Sequence, residues 1–171
     1  MPGEAFRRVF SVDKPFIAVI HLPPLPGSPR FDGDFEALVE RALKDARTAC
    51  EGGADALIVE NFGDAPFLPK ASKATIAAMA AVAREVAREV EIPVGVNVLR
   101  NDGEAAVAIA CAASASFIRV NAYVEPVASD QGLLEPQAWS VQMAMRLLGY
   151  RVVVLADVLV KHGSSLLFSS Y

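Results

Sequence analysis

The stretch Phe16–Leu22, FIAVIHL, is a continuous apolar run broken only by its histidine, and Pro23 and Pro24 follow it at once. A short run of this kind, stopped by prolines, is typical of a strand that is buried on both faces. Strands buried on both faces belong to parallel sheets, in which helices connect one strand to the next. The stretch therefore predicts an α/β fold, provided that helical patterns separate it from further strands.

The rest of the chain supplies that alternation. Apolar residues recur at helical spacing from Phe35 to Cys50, and Asp34 is placed to cap the start of this helix. Further helices are predicted over 72–90, 104–115 and 136–148, the last with Pro136 in its first turn, and further strands over 56–61, 93–99, 117–123 and 152–158. The order β-α-β-α-β-α-β-α-β indicates a parallel sheet with right-handed crossovers.

Each predicted strand ends in polar residues that an apolar core would exclude. In chain order they are His21, Glu60 with Asn61, Asn97, Arg119 with Asn121, and Asp157. In a (β/α)8 barrel, every strand opens at its carboxyl end onto one shared cavity. A doubly wound sheet instead gathers its ligand at a single switch point, and its usual Gly-x-Gly-x-x-Gly motif does not follow the first strand. The pattern favours the barrel.

The chain has 171 residues, whereas a complete barrel takes about 250. We therefore expect a single partial domain over 1–171 that holds the first five strands and four helices, with a lead-in over 1–14 and a truncated tail over 164–171. The last strand would leave an open edge through which copies could pair. Alone, this fragment is expected to be inactive. The phosphate-binding loops of such barrels follow strands seven and eight, which lie beyond the five strands predicted here.

Composition narrows the function classes. The chain is 53% hydrophobic with a net charge of −4 and has no basic run, which argues against a nucleic-acid partner. The N-terminus lacks a signal-peptide core, and the apolar runs are too short or too interrupted to span a membrane. Its two cysteines have no metal or redox spacing. We expect a cytoplasmic protein that is at most peripheral to a membrane.

Three strand-end residues are candidates for catalysis: His21, Glu60 and Asp157. An unpaired carboxylate is costly to bury, so Glu60 and Asp157 either join an internal ion-pair network with Arg119 or Lys161, or they hold a divalent metal ion or a ligand. Histidine is the side chain most often used as a general acid or base, so His21 could act as one. A hydrogen-bonded residue of the cavity wall is the equal alternative for this histidine.

Amide and cationic side chains are the candidates for ligand binding. Asn61, Asn97 and Asn121 each offer a donor and an acceptor, which suits the hydroxyl groups of a sugar-like ligand or the backbone of nearby loops. Arg119 and Lys161 could hold an anion, with Lys161 in phase with Asp157 if the strand continues that far.

The connection over 123–135 is longer than most βα loops and contains the candidate ligand residue Asp130. We expect it to fold over the cavity as a lid. The alternative is a surface loop without a role at the site.

The loops after the strands resemble the BtpA family, which also includes SgcQ-type proteins. The matching stretches span the chain in order: HLPPLPG at 21–27, ENFGDAPF at 60–67, GVNVLRND at 95–102, IRVN at 118–121, SDQGL at 129–133 and ADVLVKH at 156–162. The resemblance implies a TIM barrel of the ribulose-phosphate-binding type with a role in the biogenesis or stabilisation of photosystem I or another membrane complex, whose subunits would be partners. The alternative is a barrel enzyme acting on a small phosphorylated or sugar-like metabolite, as relatives in organisms without photosystems suggest.

Overall fold

The computed structural model describes residues 2–167. The helices are α1 Pro2–Val9, α2 Phe35–Glu51, α3 Lys73–Glu89, α4 Gly103–Ala113 and α5 Ala138–Leu148. The strands are β1 Ile17–His21, β2 Ala56–Glu60, β3 Val94–Asn97, β4 Phe117–Val120, β5 Val127–Ser129, β6 Gly132–Leu134, β7 Val153–Ala156 and β8 Gly163–Ser165. A single 3-10 turn, Phe62–Asp64, follows β2.

The five predicted strands form one parallel sheet in the order β1-β2-β3-β4-β7. Each strand of this sheet pairs with the one that comes before it along the chain, so the strand order follows the sequence without a reversal. The alternation of the sequence is therefore confirmed as an α/β fold with a parallel sheet. One detail was wrong: β1 lies at an edge of the sheet and is not buried on both faces, since Val19 within it and Phe16 just before it are exposed.

Helices α2 to α5 contribute to one apolar core against one face of the sheet, with Met79, Val82 and Ile109 among its fully buried side chains. Side chains cap three of these helices: Asp34 accepts from the amide of Ala37, and Ser72 and Asp102 do the same for α3 and α4. Capping of this kind fixes where each connection ends and its helix begins. No helix within residues 2–167 is long and apolar enough to cross a membrane.

The other face of the sheet carries a smaller apolar cluster of Phe10, Ala56, Ile58 and Phe117. Helix α1 packs against this cluster, since the ring of Phe6 contacts Phe10 in a tilted arrangement and Phe10 meets the edge of Phe117. The lead-in predicted over 1–14 therefore contains a packed helix.

Gly95 of β3 is in register with Phe117 of β4, and any side chain at this position would overlap the Phe117 ring. Because Phe117 is fully buried, the ring has little room to move away. We expect Gly95→Ala to lower the free energy of unfolding by about 1–3 kcal/mol, the usual cost of overpacking. Urea denaturation of the chain measures this loss.

Gly3→Ala is the matched control, because nothing lies within 4 Å of a methyl group at that position of α1. Its stability should match that of the unsubstituted chain or exceed it slightly. Adding Phe117→Leu to Gly95→Ala should recover part of the loss, and a Gly95→Ala chain as stable as the original would contradict this packing.

A second, antiparallel sheet of order β6-β5-β8 lies outside the predicted set of strands. The long connection over 123–135 is largely a hairpin of β5 and β6, and β8 pairs with β5. The predicted tail over 164–171 therefore begins inside a strand, and its residues 168–171 lie outside the described residues. Pro136 precedes α5 instead of occupying its first turn, since Gln137 is the N-cap.

Candidate functional site

A row of polar side chains crosses the parallel sheet at the carboxyl ends of its strands. The register pairs His21 with Glu60, Glu60 with Asn97, and Asn97 with Arg119. Paired residues of neighbouring parallel strands point to the same face, and so do residues two apart on one strand. The row therefore shares its face with Phe117, which lies one layer below Arg119.

Glu60 stands at the centre of the row and is 4% exposed. Its Oε2 accepts hydrogen bonds from Asn97 Nδ2 at 2.5 Å and from Arg119 Nη1 at 3.4 Å. Its Oε1 lies 3.3 Å from His21 Nε2. Three side chains from three other strands thus converge on one buried carboxylate, which offsets the cost of taking its charge out of water.

Asp157, just after β7, holds Arg119 through two parallel hydrogen bonds. Arg119 Nε donates to Oδ1 at 2.9 Å and Nη2 donates to Oδ2 at 3.0 Å. These bonds raise the pKa of the Arg119 guanidinium above its ordinary value, although burial opposes the rise. Arg119 therefore bridges Glu60 and Asp157, as the ion-pair alternative from the sequence requires.

Asn121 completes this network and leaves one atom without a partner. Its Nδ2 donates to Asp157 Oδ2 at 2.9 Å, which turns the amide so that Oδ1 faces elsewhere. That oxygen is buried and accepts no hydrogen bond within residues 2–167. A buried acceptor without a donor is rare in folded proteins and calls for a ligand or an ordered water molecule.

His21 is half-exposed and stacks on the ring of Phe62, with the ring centroids 4.3 Å apart and the planes 17° from parallel. Stacking on one side and the contact with Glu60 on the other fix the imidazole at the rim of the row. A histidine held this way, with access to solvent, can exchange a proton with a bound molecule.

The arrangement does not favour a metal ion between Glu60 and Asp157. A divalent cation at that place would have to displace the guanidinium of Arg119, which already binds both carboxylates. Within residues 2–167, no three histidine, cysteine, aspartate or glutamate side chains form a cluster suited to a metal. The geometry of Glu60 and Asp157 therefore does not support the metal-binding role that the sequence suggested for them.

Asn61 ties loops together instead of facing the row. Its Oδ1 accepts from the amide of Leu99 at 2.7 Å, and its Nδ2 donates to Asp64 Oδ2 at 3.1 Å. Asp64 in turn accepts from the amide of Leu25 at 2.8 Å. Burial raises the pKa of the Asp64 carboxyl, while the hydrogen bonds from Leu25 and Asn61 oppose the rise. The two side chains hold the loops after β1, β2 and β3 in place.

Two predicted ligand residues lie away from the row. Asp130 is exposed in the turn between β5 and β6. Lys161 is exposed in the turn before β8. The phase between Asp157 and Lys161 was expected only if the strand continued that far, and β7 ends at Ala156, so the condition is not met.

Asn101 lies next to the polar row, and the sequence predicted for it only a place in a helix cap. Its Oδ1 accepts from the amide of Ala122 at 2.9 Å, and its Nδ2 donates to the carbonyl oxygens of Ala122 and Glu135. This one side chain fastens the loop after β3 to the residue that follows Asn121. The adjacent Asp102 does cap α4, and it also accepts from Lys70.

Comparisons with known proteins all point to one family. The model of the BtpA family matches residues 12–170. A relative from Archaeoglobus fulgidus, described only as an uncharacterised protein, is 50% identical over 88% of this chain and 61% of its own length. The photosystem I biogenesis protein BtpA of Synechocystis is 45% identical over 93% of this chain and 56% of its own length.

A more distant relative, described as the sgc region protein SgcQ of Escherichia coli, is 36% identical over 74% of this chain and 47% of its own length. Among solved structures, a candidate phosphonomutase from Burkholderia cenocepacia aligns with a TM-score of 0.50 at 16% identity, covering 91% of this chain and 58% of that one. That likeness shows a shared fold of the TIM-barrel kind and nothing of activity. The chain spans about three-fifths of the length of the archaeal relative, and the family match over nearly all of its residues shows that it belongs to the BtpA family.

Proposed function

We propose that this chain supplies five strands of a (β/α)8 barrel of the ribulose-phosphate-binding type and binds a small, hydroxyl-rich metabolite at the carboxyl ends of those strands. The sequential strand order and the single core shared by α2 to α5 support the barrel. A doubly wound sheet would reverse its strand order and place connecting helices on both faces.

The observation that carries the proposal is the unpartnered Oδ1 of Asn121. If the row were only an internal ion-pair network, its buried polar atoms should all be satisfied within it. The network instead lacks one donor, at the residue that positions Asp157. A hydroxyl group of a bound molecule can donate to Asn121 Oδ1 and, at the same time, accept hydrogen bonds from neighbouring donors.

The remaining groups suit the same class of ligand. Asn97 and Arg119 hold the Glu60 carboxylate in one orientation, and His21 reaches it from the rim. In the proposed site, Glu60 orients the imidazole, and His21 transfers a proton to or from the ligand. Asp157 keeps Arg119 and Asn121 in place.

A binding experiment tests the proposal. Ligand-observed NMR of the chain with unphosphorylated aldoses and polyols, such as ribose, glucose and ribitol, should show binding of at least one of them. Asn121→Ala should weaken that binding by at least about tenfold, the value of one well-placed hydrogen bond in a buried site. Circular dichroism checks that each variant is folded.

Gln142→Ala is the matched control, since it removes an exposed amide on α5 that donates to Tyr123 Oη. Its affinity for the same compound should equal that of the unsubstituted chain. Absence of binding across the panel, or an Asn121→Ala chain that binds as well as Gln142→Ala, would contradict the proposed function.

Biogenesis or stabilisation of a membrane complex is the second candidate, because one relative at 45% identity is described as a photosystem I biogenesis protein. On this proposal, photosystem subunits or those of another membrane complex are the partners, and the protein lies at the membrane surface. The Escherichia coli relative comes from an organism without photosystems, which favours the metabolite site as the activity shared by the family.

Co-sedimentation separates the two candidates. A biogenesis factor should sediment with photosystem-containing membranes and not with vesicles of the same lipids alone. A chain that stays in the supernatant with both would contradict the second candidate and leave the metabolite site as it stands.

A further inference from the structure

Arg100 is a buried cation at the same edge of the sheet as the polar row. It lies three residues beyond the end of β3 and is 7% exposed. Its backbone amide donates to the carbonyl oxygen of Leu68 at 3.0 Å. Its guanidinium forms no hydrogen bond and no ion pair within residues 2–167, and its nitrogen atoms, unlike most of the side chain, are not fully buried.

This isolation sets Arg100 apart from the other buried charges of the described chain. Glu60, Asp64 and Asp102 all accept hydrogen bonds from neighbouring donors. A largely buried arginine side chain whose charged end has no counter-ion is held in place by packing and is free to meet an anion.

Arg119 cannot take that role while the row is intact. It donates twice to Asp157 and once to Glu60, so its charge is already balanced by carboxylates. Lys70, the cation nearest in sequence to Leu68, is likewise paired with Asp102 and Glu104. Arg100 is thus the unpaired cation that an anionic group would meet at this edge of the sheet.

Asn101 joins Arg100 to the ligand site proposed above. The side chain of Asn101 binds both the amide and the carbonyl of Ala122, so the residue after Arg100 is fixed against the residue after Asn121. Arg100, with an unpaired guanidinium, and Asn121, with an unpaired oxygen, therefore flank one hydrogen-bonded junction. A second buried oxygen without a partner, Gln131 Oε1, belongs to the hairpin whose far end, Glu135, Asn101 also binds.

From this junction we infer that Arg100 binds the anionic group, a phosphate or a carboxylate, of the metabolite whose hydroxyl groups meet Asn121. The inference rests on the proposed function and adds the charge of the substrate to it. The planar fork of an arginine matches two oxygen atoms of either group, which gives both strength and orientation.

Paired probes test this subsite on the chain by isothermal titration calorimetry: ribose against ribose 5-phosphate, and inorganic phosphate against acetate. The phosphorylated sugar should bind at least about tenfold more tightly than the sugar, as a charge-assisted hydrogen-bonded pair implies. Arg100→Gln should abolish that preference and leave the affinity for ribose unchanged. Binding of inorganic phosphate alone identifies a phosphoryl site, and equal binding of acetate identifies a site for either anion.

Arg151→Gln is the matched control, because Arg151 is an exposed arginine at the opposite end of β7. It should keep the preference for the phosphorylated sugar. Arg100→Gln should also melt no lower than the original chain in the absence of anions, since no ion pair is lost.

The outcomes separate the two proposals. If ribose binds but its phosphate adds no affinity, or if Arg100→Gln keeps the preference, the anion subsite is wrong and the hydroxyl site stands. If phosphate binds through Arg100 while no sugar binds with or without it, the hydroxyl site is wrong. A lower melting temperature of Arg100→Gln with unchanged anion binding would show that Arg100 serves packing alone.

Discussion

Replacing Arg119 with methionine is expected to lower the free energy of unfolding by about 2–4 kcal/mol at pH 7. Methionine keeps much of the apolar stem but removes the cation that bridges two carboxylates. Glu60, with 5% of its side chain exposed, and Asp157, with 15%, would then face each other's charge with only amide and histidine donors left. The range allows for Arg119 itself, whose side chain is 32% exposed and partly screened by solvent.

The loss should depend on pH with a definite sign. Without Arg119, both carboxylates lack a cation, and a buried carboxylate without one favours the binding of a proton. Protons are available at low pH, so the repulsion between the two groups is relieved there and is full at neutral pH. The deficit of Arg119→Met against the original chain should therefore be smaller near pH 4 than at pH 7.

Urea denaturation at several pH values measures this deficit, and Arg84→Met is the matched control. Arg84 makes one exposed hydrogen bond to Ser114, so its replacement should cost no more than about 0.5 kcal/mol at any pH. A deficit of Arg119→Met that stays constant from pH 4 to pH 7 would show that the side chain acts by packing and not by charge.

The parallel sheet and its helices follow from local signals in the sequence. The apolar run at Phe16–Leu22 became β1, and Asp34 and Asp102 cap the helices that their positions predict. Hydrophobic period and capping depend on residues within a few positions of one another, and so they can be read from one chain. His21, Glu60 and Asn97 were likewise predicted to lie at one edge of the sheet, because the carboxyl ends of parallel strands lie together.

Features that depend on distant partners could not be predicted in this way. β8 consists of Gly163, Ser164 and Ser165, which have little preference for strands, and it forms by pairing with β5. Helix α1 is short and charged, and its place is fixed by contacts of Phe6 and Phe10 with the sheet. The spacing of those two phenylalanines, four residues apart, was the one local signal for it.

In the candidate site, too, residues on strands could be predicted from the sequence and residues in loops could not. The candidate residues that lie on strands share one face, whereas Asn61 and Lys161 lie beyond the ends of the strands in which their phase would have held. Arg100 and Asn101 lie beyond the end of β3, where the alternation of side chains no longer predicts direction. Their roles depend on the path of the loop and on which backbone groups remain unpaired. The spacing of residues along the sequence predicts neither of these.

Removal of the Asn101 side chain should also destabilise the fold, by about 1–3 kcal/mol, because it leaves the buried backbone amide of Ala122 without an acceptor. Asn101→Ala deprives the amide of Ala122, a residue that is 1% exposed, of its acceptor. The carbonyl oxygens of Ala122 and Glu135 each lose one of two donors and keep a bond from Gln137. Asn101→Asp keeps an acceptor for the amide of Ala122 but places a buried negative charge beside two carbonyl oxygens, so it should be destabilised at least as much.

Hydrogen exchange locates the effect more sharply than overall stability does. Amides over 123–135 should exchange faster in Asn101→Ala, since Asn101 fastens both ends of that segment to the loop after β3. Gln142→Ala, which removes an exposed amide, should leave this exchange unchanged. Equal exchange in Asn101→Ala and the original chain would contradict the role of Asn101 as a fastener. Because the same side chain sets Arg100 against Asn121, faster exchange should come with a weaker preference for phosphorylated over unphosphorylated ribose, even though Arg100 itself is retained.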